Sequence, residues 1–251
     1  MPISIPHYWR VAREPRHSLT FALPLLLAYE VLAFSLSGQE IAGVRNGADV
    51  LLKSLFVTLG GRDGLTAFGV LLVGGGAWLV WKDCRRSGSI EPGLFSLMAV
   101  ESVVYALVLG VVAGTLTSLL LPGLATITYW SQLSIQSPAD WSLPTQLMIS
   151  LGAGIYEELL FRVLLVSGLA WLARRIFGWS ATGSGVFAMI VGALIFSAFH
   201  YIGPYGDRLE LGSFTFRAVA GVLFSGLYLV RGFGITAWTH ALYDVFLAVR
   251  G

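Results

Sequence analysis

A single cysteine, Cys84, occurs in 251 residues, which excludes an internal disulfide and any metal site built from several thiolates. Charge is also scarce. Asp, Glu, Lys and Arg make up 12% of the chain, whereas a soluble domain carries about 25%. The formal net charge is only +2 and no Lys/Arg run occurs, so nucleic acid is not an expected partner. No internal repeat, low-complexity tract or long linker divides the chain, and one integral membrane domain over 1–251 is expected. The apolar stretch 18–36 is too long for the core of a cleavable signal peptide, so a first transmembrane helix is expected there.

Apolar residues are abundant, at 56% of the chain, and the mean hydropathy is +0.76. Runs long enough to cross a bilayer fall at 18–36, 65–81, 94–121, 145–173, 183–201 and 214–230, with a shorter one at 234–249. The stretch 47–60 combines Leu51, Leu52, Leu55, Phe56 and Leu59 with Asp49 and Lys53, as an amphipathic helix at the interface would. The expected fold is therefore all-α: a polytopic membrane protein with six to eight embedded helices in one bundle.

Basic residues set the expected orientation. Arg10, Arg13 and Arg16 lie in the arm 1–17, Lys82, Arg85 and Arg86 in 82–93, and Arg174 and Arg175 in 174–182, whereas 122–144 has none. That asymmetry predicts an integral multi-pass protein with a cytoplasmic N-terminus. Arg45, Lys53 and Arg62 fit it poorly. Trp78, Trp81, Tyr129, Trp130 and Trp141 near span ends suit interfacial anchoring, and Gly74-Gly75-Gly76 and Gly110 with Gly114 suit close helix approach.

Against this apolar background, Glu157, Glu158 and Arg162 stand inside one span. Each charge at that depth costs at least about 2.5 kcal/mol, and intramembrane ionisable groups mark sites and pathways. Two further helical pieces carry ionisable groups, Phe196-Ser-Ala-Phe-His200 and His240-Ala-Leu-Tyr-Asp244. Spacing of four lets Glu158 reach Arg162, and His240 reach Asp244. Glu157 points about 100° away from Glu158 and needs a partner on another helix. A carboxylate in a low-dielectric pocket can act as a general base toward water, with histidines holding that water or stabilising an oxyanion. Glu157, His200 and His240 could also supply three zinc ligands, but the His-Glu-x-x-His helix is absent. Straight spans with these boundaries place His200 and His240 near opposite faces, unless Gly203-Pro204 ends a re-entrant turn.

Glu157-Glu158-x-x-x-Arg162, Phe196-x-x-x-His200 and His240-x-x-x-Asp244, in that order, resemble the three motifs of the CPBP family, the type II CAAX prenyl endopeptidase or Abi group of intramembrane glutamic proteases. The resemblance covers about 145–249, the expected catalytic core. It implies an endopeptidase without metal or other cofactor, acting on a membrane-associated protein or peptide such as a prenylated protein, a bacteriocin precursor or a protein with a C-terminal sorting helix. It implies that Glu157 activates the attacking water, that His200 assists, and that His240 and Asp244 support the oxyanion. Glu158 and Arg162 then support the site and Phe196 packs beneath it. The prenyl-protein enzymes of the family generally have Asn where this chain has Asp244, which donates a hydrogen bond only when protonated. Two other functions remain open: an inactive immunity or scaffold protein on the same fold, and a transporter using the buried carboxylates.

Overall fold

The computed structural model describes residues 4–36, 45–122, 141–203 and 206–250, and every regular element among them is helical. In chain order these are α1 (Ile5–Val11), α2 (Pro15–Leu36), α3 (Gly47–Gly60), α4 (Arg62–Ser87), α5 (Gly93–Leu120), α6, α7 (Ala181–Phe199), α8 (Leu211–Arg231) and α9 (Phe233–Arg250). The helix α6 is continuous through Leu143–Gly152, Ala153–Val166 and Ser167–Phe177. The protein is a polytopic all-α membrane bundle. Five helices (α2, α4, α5, α7 and α8) are long and apolar enough on their own to cross a bilayer. The expected six to eight is reached only by adding α6 and α9, the two helices richest in site residues.

The distribution of side chains follows from lipid as the solvent. Phe34, Leu119 and Val104 face outward, while the inward stripe of α5 is Met98, Ser102, Ala106, Leu109 and Ala113. Without a hydrophobic drive between helices in lipid, close packing of small residues holds the bundle. A Cβ on Gly154 of α6 would lie 2.4 Å from the Ala237 carbonyl and 2.7 Å from the Ala241 Cβ, both on α9. Gly110 of α5 likewise admits the Tyr243 ring. The glycines at 74–76 do not behave this way: among the described residues, a Cβ on Gly75 or Gly76 would meet nothing within 4 Å.

The centre of the bundle is α9, which packs against α2, α5, α6 and α8. Polar ties fix it to α2: Ser18 Oγ accepts from the Gly234 amide at 2.7 Å, and Trp238 Nε1 donates to the Phe21 carbonyl at 2.7 Å. Residues 4–17 of the basic arm are folded rather than free. Val11, Ala12 and Arg16 are buried, and Arg16 pairs with Asp83 at the end of α4 at 3.2 Å. Arg231 is fully buried, holds both oxygens of Glu101 at 2.6 and 2.7 Å, and donates to the Trp9 carbonyl at 2.9 Å. Tyr8 also donates to Glu101. Burial and that carboxylate push the Tyr8 hydroxyl well above the ordinary phenol range. The basic N-terminal segment and the end of α4 thus meet at one end of the bundle.

Arg45 and Lys53, which fitted that counting poorly, are neutralised locally. Arg45 pairs with Asp49 at 2.8 Å and Glu30 at 3.3 Å, and Lys53 with Asp49 at 2.7 Å and Glu30 at 3.0 Å. The amphipathic stretch 47–60 is a helix with the expected bounds. At the end of α4, Lys82 lies over Trp78 at 4.6 Å and Arg85 over Trp81 at 5.2 Å, an arrangement suited to an interface. Tyr129, Trp130 and Pro204 lie outside the described residues.

Candidate active site

All seven residues singled out from the sequence converge on α6, α7 and α9. Between Ala153 and Val166 the α6 backbone bonds in the wider i→i+5 pattern, a π-helix, instead of the 3.6-residue turn assumed for the sequence. Such widened turns are frequent at functional sites. The two glutamates nevertheless separate as expected, each with its own partners.

Glu158 is fully buried. Its Oε1 lies 3.2 Å from Arg162 and accepts from His240 Nδ1 at 2.6 Å. The guanidinium of Arg162 is 1% exposed and sits 4.4 Å from the Phe196 ring centroid and 5.3 Å from that of Phe224. Those ring faces supplement a buried ion pair, which Coulomb attraction alone does not repay.

Glu157 looks to other elements. Its Oε1 accepts from the Asn46 side-chain amide at 2.8 Å, and its Oε2 is 4.0 Å from His200 Nε2. That Oε2 is buried and has no hydrogen-bond partner among the described residues. His200 caps the C-terminus of α7, and its Nδ1 lies 2.8 Å from the Phe196 carbonyl. A carbonyl only accepts, so Nδ1 carries a proton, and the Nε2 of a neutral ring is an acceptor. Two acceptors, a carboxylate oxygen and an imidazole nitrogen, therefore face one another beyond direct bonding distance.

His240 stacks on Phe224, with centroids 4.4 Å apart and planes at 26°. Its Nδ1 serves Glu158, and its Nε2 is 3.7 Å from Asp244 Oδ2. The imidazole is thus bracketed by two carboxylates. Phe196, 4% exposed, forms the floor: its ring centroid is 4.8 Å from that of His200 and 6.2 Å from that of His240.

These distances remove the depth objection raised by straight spans. His200 and His240 approach one Phe196 ring, so they share a site. Depth counting treats every span as a rod along the membrane normal, whereas α9 is the central helix packed against four others. The chain after His200 also folds back upon it, with the Asp207 amide donating to the His200 carbonyl at 3.0 Å.

Asn46 and Phe224 were not singled out from the sequence. Asn46 had a usable signal, an Asn immediately before an amphipathic run, which reads as a helix N-cap; its side-chain oxygen does accept from the Ala48 amide at 2.9 Å. Phe224 had none, being one of many aromatics in an apolar span. Glu30 and Glu101, two further intramembrane carboxylates, are paired with cations, Glu30 with Arg45 and Lys53 and Glu101 with Arg231. Among the described residues no three His, Cys, Asp or Glu side chains form a metal-ligand group. An apolar cavity of about 1260 Å³ lies between α4 and the rest of the bundle, lined by residues such as Leu23, Trp78, Ile155, Leu159 and Phe233. None of the seven residues above lines it.

Three carboxylates against one guanidinium leave an excess of two negative charges while both imidazoles are neutral. The cluster is therefore built to hold protons and exchange them, which suits general acid–base chemistry at a water molecule.

Residues 139–246 match the family model described as type II CAAX prenyl endopeptidase Rce1-like. No curated protein and no solved structure matches the chain.

Proposed function

We propose, on the premise that residues 139–246 match the type II CAAX prenyl endopeptidase Rce1-like model, that the protein is an intramembrane glutamic endopeptidase. Its substrate is a membrane-associated protein or peptide cut near its C-terminus or in a membrane segment, and the reaction uses no metal. The observation that carries this reading is the pair of acceptors, Glu157 Oε2 and His200 Nε2, facing each other across 4.0 Å. A water molecule has two O–H donors and serves both, which leaves its lone pairs directed away from them.

The steps follow from that arrangement. The water oxygen attacks the scissile carbonyl carbon, its proton passes to Glu157, and the carbonyl oxygen becomes an oxyanion. His240, held by Glu158 at one nitrogen, presents Nε2–H to that oxyanion when protonated, with Asp244 balancing the charge. Collapse of the tetrahedral intermediate breaks the C–N bond, and Glu157 returns the proton to the leaving amine. Arg162 neutralises Glu158, so that Glu157 alone remains to act as the base. The basic N-terminal segment suits a cytoplasmic N-terminus, and we place the protein in a bacterial cytoplasmic membrane.

The test compares membranes from source cells carrying wild-type protein or Glu157→Ala at equal expression, with protein termini mapped by mass spectrometry. A protein that keeps its C-terminal segment only in the mutant supports the reading and supplies a substrate. Identical termini, with membrane substrates detected, return the chain to the inactive scaffold reading.

A further inference from the structure

The bond from Asn46 to Glu157 joins parts of the chain 111 residues apart. Asn46 belongs to the short connection before α3, outside the matched segment and on none of the helices bearing the other site residues. Three features hold it there. Its side-chain oxygen caps α3 through the Ala48 amide at 2.9 Å, and its own backbone amide donates to the Tyr29 hydroxyl at 3.4 Å. Tyr29 in turn donates to Asp49 at 2.7 Å, within the Glu30, Arg45, Asp49 and Lys53 cluster. Finally, Gly152 on α6 makes room: a Cβ there would stand 2.7 Å from the Asn46 Cβ and 2.6 Å from the Tyr29 ring. Asn46 is 3% exposed, so its side-chain amide is committed to these partners rather than to solvent.

We propose that Asn46 is a positioning residue for Glu157, donating to Oε1 so that Oε2 is the oxygen directed at the water and His200. The proposal deepens the glutamic-protease reading and rests on it for its catalytic consequence. An amide is well suited to this task. With its oxygen committed to the α3 cap, only the NH₂ group is turned to Glu157, so the carboxylate is fixed by a donor that brings no charge and takes no proton. Besides Asn46, the groups acting on Glu157 are all titratable or charged: His200 on α7, His240 and Asp244 on α9, and Arg162 on its own helix, with Arg217 of α8 near His200.

Asn46→Asp and Asn46→Ser separate positioning from capping, because Asp and Ser both cap helices well. Asp cannot donate when ionised, and Ser is too short to reach Glu157. Both variants are purified beside wild type and Glu157→Gln, with melting temperature as the check on folding. On a substrate found by terminus mapping, both are expected to lose roughly 10- to 100-fold in kcat with little change in KM. The acid limb of the pH–rate profile moves to higher pH, further in Asn46→Asp because of the added carboxyl.

A second readout is independent of activity: ring-¹⁵N NMR titration of the four histidines, with His200 assigned by His200→Gln. In Asn46→Ser the His200 midpoint is expected to differ from that of wild type, because the displaced carboxylate changes the field at the imidazole. Wild-type kcat, acid limb and His200 midpoint in folded Asn46 variants, with Glu157→Gln inactive, would overturn the proposal and leave Asn46 as a helix cap. Full activity in Glu157→Gln would instead sink the assignment of Glu157 as the base, and the His200 midpoint would then decide the role of Asn46 by itself.

Discussion

His240 on α9 donates its Nδ1–H to Glu158 on α6 across 2.6 Å, and the same Glu158 oxygen lies 3.2 Å from Arg162. One buried carboxylate oxygen therefore joins two helices and offsets the charge of two potential cations. Glu157, its neighbour in sequence, meets neither of these groups at bonding distance and bonds to Asn46 instead.

Removal of that joint is expected to damage stability more than Glu157→Gln does. Glu158→Ala strands a buried guanidinium, a loss of about 3–5 kcal/mol for a broken buried pair. Thermal unfolding in detergent should show a large drop in Tm for Glu158→Ala and a small one for Glu157→Gln, while both abolish proteolysis. Equal Tm values would mean that Glu158 does not carry the α6–α9 contact.

His200 is expected to act on rate rather than on fold. Its Nδ1 bond to the Phe196 carbonyl is local to α7, so His200→Gln should fold. Loss of a general acid–base partner costs roughly 10²–10⁴ in rate. A turnover assay that shows unchanged kcat in His200→Gln would remove the facing-acceptor argument.

Gly154→Leu is expected to separate α6 from α9. Even a Cβ at this position comes within 2.4 Å of the Ala237 carbonyl. Overpacking of this kind costs about 1–3 kcal/mol, and it moves Glu157 and Glu158 away from His240. Gly75→Leu, placed where a Cβ meets nothing within 4 Å, is the control. Activity and Tm should fall for the first and hold for the second.

Chelation tests the proposed metal-free mechanism. Prolonged treatment with EDTA or 1,10-phenanthroline, followed by assay in metal-stripped buffer, is expected to leave activity unchanged. Loss of activity restored by added zinc would make Glu157, His200 and His240 ligands instead.

Arg231 is expected to govern the N-terminal segment. Arg231→Lys keeps a charge but loses the two-pronged hold on Glu101 and the bond to the Trp9 carbonyl. Limited proteolysis should then cut near α1 several-fold faster than in wild type, with the site residues unaffected. An unchanged cleavage pattern would show that α1 is held by its apolar contacts alone.

What the sequence determined by itself is what depends on local pattern. Apolar run length located the spans, because a bilayer requires about 20 apolar residues to satisfy the backbone within one helix. The cost of intramembrane charge drew attention to Glu157, Glu158 and Arg162, and i,i+4 spacing correctly paired Glu158 with Arg162. Tertiary structure decided what depends on the paths of different helices. The central packing of α9 brought His240 beside the same Phe196 as His200, where straight rods would have parted them. The approach of Asn46 across Gly152 fixed which oxygen of Glu157 is bonded and which has no hydrogen-bond partner among the described residues. No periodicity within one segment encodes such a contact, because it depends on the shape of the groove between segments rather than on the composition of either.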